Sequence, residues 1–111
     1  MRVYKVRNKM FATLGWEDGI ARSNLKCDPD YAVAMRQMFS GVLPGYHMNK
    51  RHWNTVMIDG SVPDSEVLGL IDHSYALVAK SLPKAERTAI EIAHGSDVVY
   101  RGLTPLFGRP T

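Results

Sequence analysis

Ten residues, His47-Met48-Asn49-Lys50-Arg51-His52-Trp53-Asn54-Thr55-Val56, hold two histidines, a Lys-Arg pair, two asparagines and a tryptophan. Cations next to amides suit a polyanion: Lys and Arg neutralise phosphates and release condensed counterions, while Asn hydrogen-bonds phosphate or base edges. A second cluster, Arg7-Asn8-Lys9, repeats one Asn with two cations. Lys26 and Arg22 extend the positive set. Other chemistries fare worse. His47, His52 and Cys27 are metal-ligand types, yet no C-x-x-C or H-E-x-x-H spacing accompanies them, so no metal or other cofactor is expected. Ser74 follows His73, but neighbours on a helix point about 100° apart and form no nucleophile-base pair. No enzyme is expected.

Charge is unevenly spread. Residues 1–58 hold nine Lys or Arg against four acids, and residues 59–111 five against seven, so the positive surplus sits in the first half. At 111 residues with 45% hydrophobic content the chain is long enough for a single cored domain. The lone Cys27 permits no internal disulfide, and no apolar run approaches ~18 residues, so a soluble cytoplasmic protein without membrane contact is expected.

The basic clusters need elements to carry them. V3-Y-K-V and M10-F-A-T-L read as strands joined by a turn around Asn8. E17-D-G turns the chain into A21-R-S-N-L-K-C, with Ser23, Leu25 and Cys27 on one side and Arg22, Asn24 and Lys26 on the other. Asp28-Pro29 opens a helix with Tyr31, Ala34, Met35 and Met38 as its apolar stripe, ending at Gly41. Val42 to Met48 and His52 to Ile58 read as two further strands around an M48-N-K-R turn. Ser61 and Asp64 have the form of a capping box for a helix from about Val62 to Leu82. The expected fold is α+β: a two-layer sandwich, five-stranded antiparallel sheet with helices on one face.

Alternation sends His52, Asn54, Val56 and Ile58 to one side of the last strand and Trp53, Thr55 and Met57 to the other. With Trp53 under the helices, beside Leu25, Met35, Tyr75 and Leu77 or Val78, its truncation to alanine is expected to cost ~3–5 kcal/mol. A bland alternative makes Asn49 and Asn54 local hydrogen-bonders and the histidines ordinary strand residues.

F11-A-T-L, S23-N-L-K-C-D-P, P44-G-Y-H-M-N-K-R-H-W-N-T-V, D59-G-S-V-P-D, I71-D-H-S-Y-A-L-V and L82-P-K stand in the order of the MmcQ/YjbR family of small bacterial proteins, which the chain resembles across residues 3–84. The resemblance implies a CyaY-like, secretion-chaperone-like fold and a double-wing mode of binding double-stranded DNA. On it, residues 1–83 are the family-like domain. Arg7, Lys9, Lys26, Asn49, Lys50, Arg51, His52 and Asn54 are then the candidate nucleic-acid contacts. The alternative is a protein-interaction or chaperone-like module that forms a homodimer without binding nucleic acid. Family members usually carry a helix before the first strand, whereas this chain begins almost at the strand. Residues 84–111 are read as an extension. Its Lys84–His94 stretch is a helix candidate with Ala85, Ala89, Ile92 and Ala93 at helical spacings, able to replace that helix, and the last residues from Gly102 are expected to be irregular.

Overall fold

The computed structural model describes residues 1–103. Apolar-polar alternation and two-residue turns build the first three strands. β1 (Arg2–Val6) pairs with β2 (Lys9–Glu17) through a tight turn in which Arg7, not Asn8, takes the left-handed backbone at φ 55°. Asp18 and Gly19, at φ 54° and 78°, turn β2 into β3 (Ile20–Lys26), a conformation that Asp and Gly adopt with least cost. The Asp28 carboxylate then accepts the amides of Asp30 and Tyr31 at 3.1 and 3.2 Å and starts α1 (Pro29–Met38).

The next two strands are shorter than their residues promise. β4 spans Val42–Pro44 and β5 Trp53–Ile58, leaving residues 45–52 as a loop. Pro44 has no amide to continue the ladder. Past it, the Tyr46 amide donates to the Thr55 hydroxyl at 2.8 Å and His47 turns left-handed at φ 57°. α2 (Asp64–Lys80) starts at Pro63 without a side-chain cap. The expected capping box fails because the Ser61 hydroxyl and amide both bond the Asp59 carboxylate, at 2.6 and 3.0 Å, in a local turn.

The five strands form one antiparallel sheet in the order β1-β2-β3-β5-β4. Paired residues share a face, so Ala12, Leu25 and Asn54 make one row and Leu14, Ser23, Val56 and Val42 another. These rows meet α1 and α2: Leu25, Val42 and Val56 share a core with Tyr31, Ala32, Met35 and Leu70. The helices thus lie on one face, as the two-layer reading requires.

Trp53 lies on the other face. It pairs with Lys26, one residue out of step with the buried Asn54, and is half-buried against Gly45, where an added Cβ would touch its backbone and Cβ. Its expected place beneath the helix layer is therefore corrected, because α1 claims the Asn54 side. Trp53→Ala should cost only about 1–2 kcal/mol, since a partly exposed ring loses less contact than a core one. Urea unfolding of the variant checks this. A loss above about 3 kcal/mol contradicts the placement.

The C-terminal residues continue as α3 (Lys84–His94), α4 (Ser96–Val99) and a 3-10 turn at Arg101–Leu103. Ile90 and Val99 pack with Val6, Val78, Ala79 and Leu82 in a second core. The stripe expected to face inward is instead outward: Ala85, Ala89, Ile92 and Ala93 are all exposed, and Ile90 is the buried residue. Through Ile90 and Val99 the described part of this tail covers the Val6 end of the β1-β2 ribbon. Of the irregular stretch expected from Gly102, residues 104–111 lie outside the described residues.

His73 ties three parts together. The Asp28 amide donates to its Nε2 at 3.2 Å, its Nδ1 lies 2.9 Å from the Gly102 carbonyl, and its ring meets Tyr31 edge-on. Only the neutral ring protonated at Nδ1 satisfies both bonds. Burial, chiefly, holds its pKa below the ordinary histidine value. A depressed pKa contributes stability that is present above the unfolded value of about 6.5 and lost as pH falls through the folded one. Stability should drop from pH 8 to pH 5, and His73→Gln should shrink that drop. An equal drop in both proteins contradicts the assignment.

Candidate nucleic-acid interface

The strand directions decide where the basic residues meet. β2 starts, β3 ends and β5 starts at the same end of the sheet, so the Arg7-Asn8 turn, the Lys26–Asp28 junction and the 45–52 loop all emerge there. The first turn caps the β1-β2 edge and the loop caps the β5-β4 edge, with β3 between them. The two hairpin axes are three strand spacings apart, about 14 Å.

Within that end the residues differ in what they are free to do. Arg7 and Arg51 are exposed, Lys26 is half-buried on the outer face, and none of their side chains has a hydrogen-bond or ion-pair partner among the described residues. Lys9 Nζ lies 3.3 Å from the Ser81 carbonyl, and Lys50 Nζ donates to the Gly45 carbonyl at 3.0 Å. Both remain on the exposed surface with their charges at the same pole. His52 is exposed beside them.

The two asparagines serve the loop. Asn49 Oδ1 accepts the amides of Arg51 and His52 at 2.9 and 3.3 Å, which sets the turn presenting Arg51. Asn54 is buried at 2% exposure, donating to the Ala32 carbonyl and accepting from Arg36 at 2.7 Å. It is therefore withdrawn from the surface set, because α1 rather than solvent lies over it. Arg36 also bonds the Lys50 carbonyl at 3.3 Å and so anchors the loop to α1. Sequence spacing gave no signal for that link.

Two further cations join this pole from the second half of the chain. Ser81, which holds Lys9, sits between Lys80 at the end of α2 and Lys84 at the start of α3. Among the described residues, Arg36, Lys80 and Lys84 thus join Arg7, Lys9, Lys26, Lys50 and Arg51 at this end; its acids include Asp28, Asp30 and Glu86, and the Asp28 carboxylate is occupied as a helix cap. The far end is the reverse. Glu17, Asp18, Asp59, Asp64 and Glu66 gather where β2 turns and α2 begins, with Arg22 paired to Glu17 at 3.3 Å. The molecule is polar along its strands, which can orient it toward a polyanion.

Cys27, the remaining candidate ligand type, is buried in the main core, and burial chiefly raises its thiol pKa to about 12. It packs as a small apolar side chain. The His47 ring lies tilted against Tyr46 in the loop, their centroids 4.1 Å apart. Among the described residues no cluster of three or more metal-ligand side chains forms, and no helix is long and apolar enough to cross a membrane.

Comparison with known proteins sets this geometry in a family. The chain is 40% identical over 83 residues to the Escherichia coli K12 protein named Uncharacterized protein YjbR, which covers 75% of this chain and 70% of that one. It is 32% identical over 88 residues to YbdF of Escherichia coli O157:H7, covering 79% and 72%. A crystal structure of a Deinococcus radiodurans protein superposes with a TM-score of 0.68 at 40% identity, covering 74% of this chain. This chain spans 61% of the length of that protein. A Pseudomonas syringae structure gives a TM-score of 0.60 at 30% identity, covering 68% and 74%. The model of the YjbR family matches residues 2–77, the whole sheet and most of α2, and the chain belongs to that family.

Proposed function

We propose that the protein binds duplex DNA at the basic end of its sheet, using the Arg7-Asn8 turn and the 45–52 loop as two wings, and that it has no catalytic step of its own. The observation that carries this is the emergence of both basic turns at one end of the strands, with Lys26 between them. Two cationic tips about 14 Å apart are close to the ~12 Å width of a B-DNA major groove, so each can meet the phosphates bordering it. The contacts on offer are mostly charges. Asn49 is spent on its own turn and Asn54 on α1, so base reading is weak and binding is largely independent of sequence.

Four to five phosphate contacts give a log-affinity versus log-salt slope of about −4. Arg7→Asn combined with Arg51→Ala should flatten it by nearly two units. Asparagine suits the left-handed backbone at position 7 better than arginine does, so the double variant should fold as well as the parent. Fluorescence anisotropy of a labelled duplex over a salt series measures both slopes. Equal slopes, or no binding by the parent at low salt, defeat the proposal.

A further inference from the structure

The β2-β3 ladder stops early, at the strand end that carries the first basic turn. Its register runs from Glu17-Ile20, which closes the hairpin, to Ala12-Leu25. Alternate rungs of an antiparallel pair exchange backbone hydrogen bonds. Counted from the hairpin, those rungs are Glu17-Ile20, Gly15-Arg22 and Thr13-Asn24, so Phe11-Lys26 is next. A side chain takes that rung instead. The Lys26 amide donates to Ser74 Oγ at 2.9 Å, and the Ser74 hydroxyl donates to the Phe11 carbonyl at 2.5 Å. Ser74 belongs to α2 and is wholly buried.

Phe11 is also the extra residue of a bulge. On its other side Tyr4 pairs with Ala12 and Lys5 with Met10, which leaves Phe11 unmatched. The first wing therefore departs from the sheet at a point held by α2 on one flank and bulged on the other. About two turns further along the same face of α2, Ser81 receives Lys9 Nζ, at 3.3 Å on its carbonyl and 3.4 Å on its hydroxyl. The wing is mounted on α2 at its base and near its tip.

We propose that Ser74 is the positioning residue of the first wing: its hydroxyl, set between β2 and β3, fixes where the Arg7-Lys9 tip stands relative to the 45–52 loop. Direct pairing of Phe11 with Lys26 would continue the ladder and draw the tip in toward β3. The inserted hydroxyl keeps the two backbones one oxygen apart. Without it, Phe11 and Lys26 either pair directly or lose their partner, and the tip moves in both cases. The position of the tip follows from these hydrogen bonds alone, and only its consequence for affinity rests on the proposed DNA binding.

Double electron-electron resonance between spin labels at Asn8→Cys and His52→Cys, in the protein without DNA, reads the separation of the two tips. Both sites are exposed, whereas Cys27 is buried and stays unlabelled. Ser74→Ala should change the mean or the width of the distance distribution by about 2 Å or more, somewhat under half a strand spacing. The same change in the unlabelled protein should flatten the salt slope of DNA binding from about −4 toward about −2, because the two phosphate contacts of the first wing drop out although no charge is removed. A residue that only stabilised the fold would lower the unfolding midpoint and leave that slope unaltered. If the alanine variant fails to fold, Ser74→Cys keeps the buried volume with a weaker hydrogen-bonding group and is read without labels. Exchange of the Lys26 amide should then quicken about tenfold or more, and the slope should flatten in the same direction. A distance distribution equal to the parent's, or unchanged Lys26 exchange in the cysteine variant, overturns the proposal, and so does an altered distribution with an unaltered slope. Absence of DNA binding by the parent defeats the DNA reading, while the distance distributions still decide whether Ser74 positions the tip.

Discussion

Leu25→Ala should destabilise the protein by about 3 kcal/mol, a large share of the roughly 5–15 kcal/mol that holds a small domain folded. Leu25 stands on the central strand at 2% exposure, with Ala12 and Asn54 as its row neighbours and Tyr31, Met35 and Leu70 above it. Truncation removes three carbons where sheet and both main helices converge, and strands fixed on either side limit how far the site can collapse. Urea unfolding followed by the fluorescence of Trp16 and Trp53 measures the loss. The neighbouring Lys26→Ala, on the opposite face, should cost under about 0.5 kcal/mol. Similar costs at the two positions would contradict the face assignment.

Asn54→Ala is expected to cost about 2–3 kcal/mol, although its type and place among cations suggest a nucleic-acid contact. The change leaves the Ala32 carbonyl without its amide donor beneath α1 and the half-buried Arg36 guanidinium without its 2.7 Å acceptor. Hydrogen bonds involving a charged partner are the expensive ones to break when buried. Because Arg36 also holds the Lys50 carbonyl, the loop should loosen as well. Thermal unfolding reads the stability. An unchanged midpoint accompanied by lost DNA affinity would instead return Asn54 to the surface set.

What the sequence made legible followed range. The Ser23-Leu25-Cys27 alternation and the Asp28 cap depend on neighbours within a few residues, and both formed as the residues promised. The Ser61 cap was also a local inference, yet Asp59 two residues back offered the hydroxyl a nearer acceptor than the helix did. Which side of β5 faces the helices was beyond reach, because Trp53 and Asn54 are both plausible on either side until α1 delivers Ala32 and Arg36 to one of them. The basic pole was half visible. Arg7, Lys9, Lys50 and Arg51 cluster in sequence, whereas Lys80 and Lys84 join them only because α2 runs the length of the sheet and ends at Lys9. On α3 the alanines misled, since short side chains spaced helically suit an exposed face as readily as a buried one.

The central claim is that two turns distant in sequence act as one DNA-binding surface, and backbone amide chemical shifts recorded while a short duplex is titrated into the labelled protein test it most directly. The shifts should move together at residues 7–9, at Lys26 and at 49–52, with the amides of Asp18, Gly19 and the start of α2 unmoved. Shifts at only one of the two turns, or centred on the acidic end, would contradict it.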